Sequence, residues 1–450
     1  MLQELSFENF KTWATAKISF GKITGFFGTN SSGKTSLLQF LLLLKQTKEA
    51  TDRALSLDLN GPYVELGLYG DMIHNHNQKL KLKWEFTFRS EKDISLIDPS
   101  GRKSDVVARA RTVRLRSEVA ARDQRVVSTR IEYELGNMHF LLAPKNGGEG
   151  AFELTASGSE FRFVRTQGRA WQLPGPVKSY AFPDQARTYF QNASFLSELE
   201  AAYERQMDEI YYLGPLRDYP KRDYLWARST PHGVGIKGEL AVVAILAATV
   251  AGEMRNIRKK AKLRPFQEII AYWLSHMGLI HDFRVEEIAK GSNRWQAKVQ
   301  VRRGGTEALL TDVGFGVSQV LPVITLLQYV PDGSTVLLEQ PEIHLHPLAQ
   351  AELADVIINA AVHRNIQVVL ESHSEHLLLR LQRRVAEQGL ESRDLRLYFC
   401  DAPDGTSQIQ PLGIDMFGTI DNWPKNFMGD AFGEAYAAEK ARLNRKKAAE

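Results

Sequence analysis

Gly28 and Gly33 bracket four small polar residues, Thr29, Asn30, Ser31 and Ser32, and are followed at once by Lys34, Thr35 and Ser36. This glycine, four residues, then Gly-Lys-Ser/Thr is the P-loop spacing, and it constrains the chain on both sides. Ile23 to Phe27 reads as a short apolar strand entering the loop, and Ser36 to Lys45 (SLLQFLLLLK) as the helix leaving it. A strand that passes into a helix without bulky side chains turns successive backbone N–H groups inward, where they bind phosphate oxygens at the helix N-terminus. Lys34 then reaches the β- and γ-phosphates, and the Thr35 hydroxyl is placed to ligate Mg²⁺.

Composition narrows what surrounds this loop. With 450 residues, 43% of them hydrophobic, the chain can form one large α/β domain with insertions or two to three smaller ones. No run approaches the roughly 20 apolar residues of a membrane span. Met1 to Phe20 alternates like an amphipathic strand rather than a signal peptide, so a cytoplasmic protein without a membrane partner is expected. The single Cys400 excludes an internal disulfide and a cysteine zinc site. A net charge of only +4 leaves any nucleic-acid contact to local basic patches.

Between Lys79 and about Phe163 the pattern alternates with period two, predicting an antiparallel sheet. Within it, Gly101 to Arg130 carries Arg102, Lys103, Arg109, Arg111, Arg114, Arg116, Arg122, Arg125 and Arg130 against Asp105, Glu118 and Asp123. A solvated strand face is the plain reading of such a run, and a contact to a DNA or RNA backbone the sharper one. Phe195 to Ile210 reads as a helix, leading to Tyr211-Tyr212-Leu213-Gly214-Pro215-Leu216-Arg217. That places the Arg217 guanidinium at a strand terminus, either against nucleotide phosphate or fastening the Gly-, Pro- and aromatic-rich loop that follows. Leu240 to Leu279 is helix-forming and carries a second basic cluster, Arg255, Arg258, Lys259, Lys260, Lys262 and Arg264.

The last third of the chain repeats the theme of apolar strands with chemistry at their ends. Asp312-Val313-Gly314-Phe315-Gly316-Val317-Ser318-Gln319 precedes an apolar helical stretch, and small residues with Ser at a helix N-terminus make a further anion site. Ser334 to Glu339 is a buried strand ending in an acid, the Walker B arrangement, followed by Gln340-Pro341-Glu342-Ile343-His344-Leu345-His346-Pro347. Ile366 to Glu371 is another such strand, ending in Ser372-His373-Ser374, where His373 fits a switch histidine facing the γ-phosphate.

In this order the motifs resemble the ABC/SMC-type ATPase heads labelled AAA, including RecF-like proteins and the ATPase halves of overcoming-lysogenization-defect nucleases. YLGPLRDYPKRDYLW, DVGFGVSQVLPV, LLEQPEIHLHP, ESHSEHLL and IDNWPKNF are similar to one bacterial subfamily of standalone ATPases with a C-terminal domain of unknown function. The resemblance implies an α/β P-loop NTPase with a mixed central sheet, an antiparallel β subdomain and a helical subdomain. Its expected segments are 1–75 (P-loop half of the head), 76–190 (β-rich insert), 191–310 (Arg-containing loop and helices), 311–412 (signature, Walker B and switch histidine) and 413–450 (tail). It also implies ATP and Mg²⁺ as cofactors, with Thr35 and Glu339 at the metal. Residues 30–36, Arg217, Gly316, Ser318 and Gln319 would lie at the nucleotide, and Glu339, Gln340, Glu342 and His373 at the reaction.

The implied assembly is a head-to-head homodimer or higher homo-oligomer, gated by ATP. Its partner would be an effector, nuclease or toxin, encoded nearby in an anti-phage context. A DNA-repair clamp and an overcoming-lysogenization-defect-like nuclease are the alternatives, although no nuclease spacing stands out. The usual Asp-Glu at the strand end is here Glu339-Gln340, and an amide at 340 accepts no proton from water. Either Glu342 or another carboxylate serves as base, or hydrolysis is slow and ATP acts as a dimerisation switch.

Overall fold

The computed structural model describes residues 1–99, 106–123, 125–145, 150–168, 172–258, 260–424 and 440–442. The chain opens with β1 (Leu2–Phe10), β2 (Trp13–Ser19) and β3 (Ile23–Gly28), then α1 (Lys34–Glu49) and the single turn α2 (Tyr69–Met72). Five long strands follow: β4 (Leu82–Ile97), β5 (Val106–Arg122), β6 (Arg125–Leu135), β7 (Met138–Pro144) and β8 (Phe152–Ser157). Next come α3 (Asp184–Tyr189), α4 (Leu196–Asp208), β9 (Ile210–Leu213), β10 (Tyr224–Leu225), α5 (Ala241–Val250), β11 (Met254–Arg255), β12 (Arg264–Pro265) and α6 (Phe266–His276). Three strands, β13 (Asp282–Glu287), β14 (Arg294–Gln300) and β15 (Glu307–Leu309), lead to α7 (Phe315–Tyr329) and β16 (Thr335–Glu339). The chain continues through α8 (Pro347–His363), β17 (Gln367–Glu371), α9 (Glu375–Ala386), β18 (Leu395–Asp401) and β19 (Gln408–Leu412).

The central sheet has the order β19-β18-β3-β17-β16-β9. Five members, from β18 to the edge strand β9, run parallel, and only β19 is antiparallel. A parallel strand is covered on both faces and reads as a continuous apolar run, as Val336-Leu337-Leu338 and Val368-Val369-Leu370 do. Side chains alternate across the sheet, so Val336, Leu338, Val368 and Leu370 enter one core with α5 to α9. Leu337 and Val369 enter a second core, built with α1, α4 and the antiparallel sheet. All five parallel strands end on the same edge, where loops carry ligands in folds of this kind.

The antiparallel sheet extends beyond the segment expected for it. Its order is β2-β1-β4-β5-β6-β7-β8, so residues 2–19 belong to it through β1–β4 pairing, and no boundary falls at residue 75. The segment 191–310 is likewise not a purely helical unit. It supplies β9 to the central sheet, and β13 and β14 pair with β10 and β15 in a separate small one. Leu240 to Leu279 forms two helices separated by the β11–β12 hairpin, because Gly252 takes a left-handed φ of 70° and Pro265 caps the next helix. Arg102, Lys103, Lys259 and most of the charged helix expected over 434–450 lie outside the described residues.

Candidate functional site

The loop after β3 takes the shape its glycines permit. Gly28 has φ 136°, and a Cβ there would stand 2.0 Å from the Cys400 carbonyl oxygen. Gly33 caps α1 at φ 87°, where a Cβ would meet Ser407 Oγ at 2.4 Å. Trp13 Nε1 donates to the Gly33 carbonyl at 3.1 Å, anchoring the loop to the start of β2. Lys34 is buried, with Nζ donating to the carbonyls of Gly28 (3.2 Å) and Thr29 (2.6 Å), so the ammonium lies within the turn. Burial lowers its pKa, with the Glu371 carboxylate opposing. Thr29, Asn30 and Ser31 are exposed, whereas Ser32 and Ser36 are buried.

Two acids end adjacent strands in the same register, Glu339 on β16 opposite Glu371 on β17. Glu339 Oε1 accepts from the Tyr212 hydroxyl at 2.9 Å, and burial followed by the charge of Glu371 pushes its pKa up to about 7. Thr35, expected with Glu339 at the metal, bonds the other of the two acids. Its Oγ1 donates to Glu371 Oε2 at 2.7 Å, because β17 lies between β3 and β16. Burial raises the Glu371 pKa, opposed by the Thr35 hydroxyl, the Lys34 ammonium and the nearby Gln340 amide. Gln340 adopts a left-handed φ of 43° and donates its backbone N–H to the Glu371 carbonyl at 2.9 Å. Strained backbone of this kind costs about 1–3 kcal/mol and gathers at functional sites.

Glu342 and His373 are tied together. Glu342 Oε1 accepts the His373 backbone N–H at 2.8 Å, while its buried Oε2 has no hydrogen-bond partner among the described residues. The carboxylate therefore holds the switch loop in place. His373 lines a cavity of about 410 Å³ with Gly28, Pro347, Gln350, Ser374, Glu375 and His376, at the mouth of the P-loop. Desolvation and then the Lys34 ammonium keep its imidazole below its ordinary pKa.

Three expected nucleotide contacts face inward instead. Arg217 is 7% exposed, and its guanidinium donates to the carbonyls of Pro215 (2.9 Å), Glu339 (3.1 Å) and Gln340 (3.3 Å), bracing the acidic loop from behind. Burial lowers its pKa to about 10. Ser318 Oγ donates to the Phe315 carbonyl at 2.8 Å, and Gln319 is buried in the first turns of α7. Gly316 lies against the His344 carbonyl, so the exposed tip of this helix is Gly314 and Phe315.

Sequence reasoning passed over Glu371 as part of a strand, and its neighbour Tyr212 as part of another. The pairing of β16 with β17 reveals the first, and that of β16 with β9 the second. Lys11, whose Nζ donates to Gln39 Oε1 at 2.6 Å and whose charge acts on Glu339, was equally unmarked. A second acidic cluster, His276, Glu352 and Asp355, is already neutralised by Arg380 and Arg384.

A P-loop beside paired acids at the ends of parallel strands defines a P-loop nucleoside-triphosphatase head. Residues 156–380, half of the chain, match the family described as "AAA domain, putative AbiEii toxin, Type IV TA system". Residues 1–168 match the AAA ATPase domain, and residues 390–436 a protein family of unknown function, DUF3696. The chain belongs to the AAA-domain ATPase family. No curated protein matches it.

Among solved structures, an SMC head bound to the C-winged helix domain of ScpA is 12% identical. The match covers 92% of this chain and 98% of that one, with a TM-score of 0.44. The SMC head domain from Thermotoga maritima is 11% identical over 91% and 98%, with a TM-score of 0.37. An Smc head with an extended coiled coil, bound to the C-terminal domain of ScpA derived from Pyrococcus furiosus, is 11% identical over 92% and 96%, with a TM-score of 0.44. No helix among the described residues is long and apolar enough to cross a membrane.

Proposed function

We propose that this chain binds ATP with Mg²⁺, hydrolyses it slowly, and dimerises on ATP to regulate a partner effector in bacterial anti-phage defence. The observation that carries the nucleotide reading is the convergence of Lys34, Thr35, Glu371 and Glu339 on one edge of the parallel sheet. The donor set is all hard oxygen, hydroxyl and carboxylate, which suits Mg²⁺. Thr35 with the acids at the strand ends would hold the cation, which would supply charge neutralisation for phosphoryl transfer.

In this reading, Thr35 and Glu339 hold the cation. The loop amides from Asn30 to Ser36 and the Lys34 ammonium bind phosphate. His373, fixed by Glu342, faces the terminal phosphate from the cavity. Hydrolysis is slow because Gln340 takes no proton. Gly314 at the start of α7 faces the nucleotide of a second copy. The defence context is supported by the toxin and toxin–antitoxin terms in the description of the matching family.

The DNA-clamp reading is weakened on the β face. Arg114 and Arg116 pair with Glu85, Glu132 and Glu134 on flanking strands, so these two cations are already partnered. Mass photometry of the purified chain with and without ATP·Mg²⁺, beside phosphate release, tests the proposal. Dimers on ATP with slow release are expected, and constant mass with brisk DNA-stimulated release would replace the switch with a DNA motor. Lys34→Ala should abolish ATP binding by calorimetry, and an unchanged affinity would refute the nucleotide site.

A further inference from the structure

We infer that Glu371 supplies, from β17, the second carboxylate of the Mg²⁺·nucleotide site, and that Gln340 is the residue that positions it. The inference rests on the ATP-binding reading above and adds to it a residue and a reason for the amide at 340. Thr35, the hydroxyl a P-loop offers to the cation, is bonded to Glu371 at 2.7 Å rather than to the Walker B acid. A cation bound at Thr35 Oγ1 is therefore within one ligand shell of the Glu371 carboxylate. Glu339 is at the same strand register, with one of its oxygens engaged by Tyr212, so the two acids offer oxygens from adjacent strand ends.

Gln340 fits this arrangement where a glutamate does not. Its backbone N–H donates to the Glu371 carbonyl at 2.9 Å, which keeps the two residues side by side, and its neutral amide favours the ionised form of the Glu371 carboxylate. A carboxylate at 340 would meet Glu371 as a like charge beside Glu339, putting three acids in one site. An amide instead adds no charge there and leaves the acid free to bond Thr35. Gln340→Glu should accordingly weaken the site rather than restore it.

The test is calorimetric titration of the full chain with the non-hydrolysable analogue AMPPNP, once in MgCl₂ and once in EDTA. The wild type should bind more tightly with Mg²⁺. Glu371→Gln should lose about tenfold or more of the Mg²⁺-dependent affinity while its affinity in EDTA stays near wild type. Gln340→Glu should lose a similar factor, and the reciprocal swap Gln340→Glu/Glu371→Gln should regain most of it. That rescue would not follow from a merely structural role.

Unchanged Mg²⁺ dependence in Glu371→Gln overturns the inference and leaves the ATP reading intact. A gain in Gln340→Glu also overturns it. A wild type that binds no AMPPNP, or a Lys34→Ala variant that binds it equally well, sinks the ATP reading instead. Should Glu371→Gln fail to fold, as judged by circular dichroism, Gln340→Glu decides the question alone, a loss of Mg²⁺-dependent affinity supporting the inference and an unchanged or higher one overturning it.

Discussion

Arg217 shows how far a single residue can be read from its neighbours in sequence. Its place after an apolar strand and Gly214-Pro215 was legible, and so was a cation at a strand terminus. The direction it faces was not, because that depends on β16 lying beside β9 and offering the carbonyls of Glu339 and Gln340. Removing the guanidinium leaves those buried acceptors unpaired. Arg217→Ala should therefore cost about 2–3 kcal/mol in urea denaturation, and Arg217→Lys should recover little, since an ammonium cannot span three carbonyls. Wild-type stability for Arg217→Ala, with ATP affinity lost, would instead make it a phosphate ligand. Lys34 and Thr35 were legible because the P-loop is local; Glu371 was not, since its role comes from a strand pairing hundreds of residues from Thr35.

At the scale of elements, period-two alternation marked β4, β6, β7 and β8, and helix-forming stretches marked α1, α4 and α7, whereas β5 showed only as a run of charge. Two-residue strands such as β10 to β12 have no period to detect, and the capture of β1 and β2 by the large sheet is a tertiary event. The clamp between α8 and α9 was equally invisible, though its residues were in view. Asp355 accepts from Arg380 Nη1 at 2.6 Å and from Arg384 Nε at 2.6 Å and Nη2 at 2.7 Å, with Arg380 also held by Glu352. Burial opposes ionisation of Asp355, but the two arginines more than offset it and hold the carboxyl below its ordinary 3.8. A depressed folded pKa means that the folded state binds fewer protons than the unfolded state near and below that value. The contribution is then complete above about pH 4 and lost as pH falls through the folded pKa. Asp355→Ala should cost about 3 kcal/mol at pH 7, and should lose less than the wild type between pH 5 and pH 3 in denaturant titrations. An acid limb parallel to that of the wild type would show that other groups set it.

At the scale of the whole molecule, the parallel sheet separates two cores and leaves α7 on the core of α5 to α9 with its N-terminus exposed. The notion that this tip meets the nucleotide of a second copy came from motif order. The structure changes which residue tests it. Ser318 is buried and bonded to Phe315, so replacing it would mix folding with association. Gly314 has an ordinary backbone, φ −56° and ψ 141°, and nothing lies within 4 Å of a Cβ built there. A carboxylate at this helix start is favourable to the monomer, by about 0.3–1 kcal/mol from the helix dipole. The same carboxylate opposite a triphosphate would be strongly repelled, since two like charges then share one site. Gly314→Glu should therefore melt at or slightly above the wild-type temperature and keep monomeric ATP affinity within about twofold. Its ATP·Mg²⁺ dimers should weaken by about tenfold or more, since a repulsion of about 1.4 kcal/mol suffices for that factor. Dimers of undiminished strength in mass photometry would mean that two copies meet on another face, and that α7 does not complete the site of its partner.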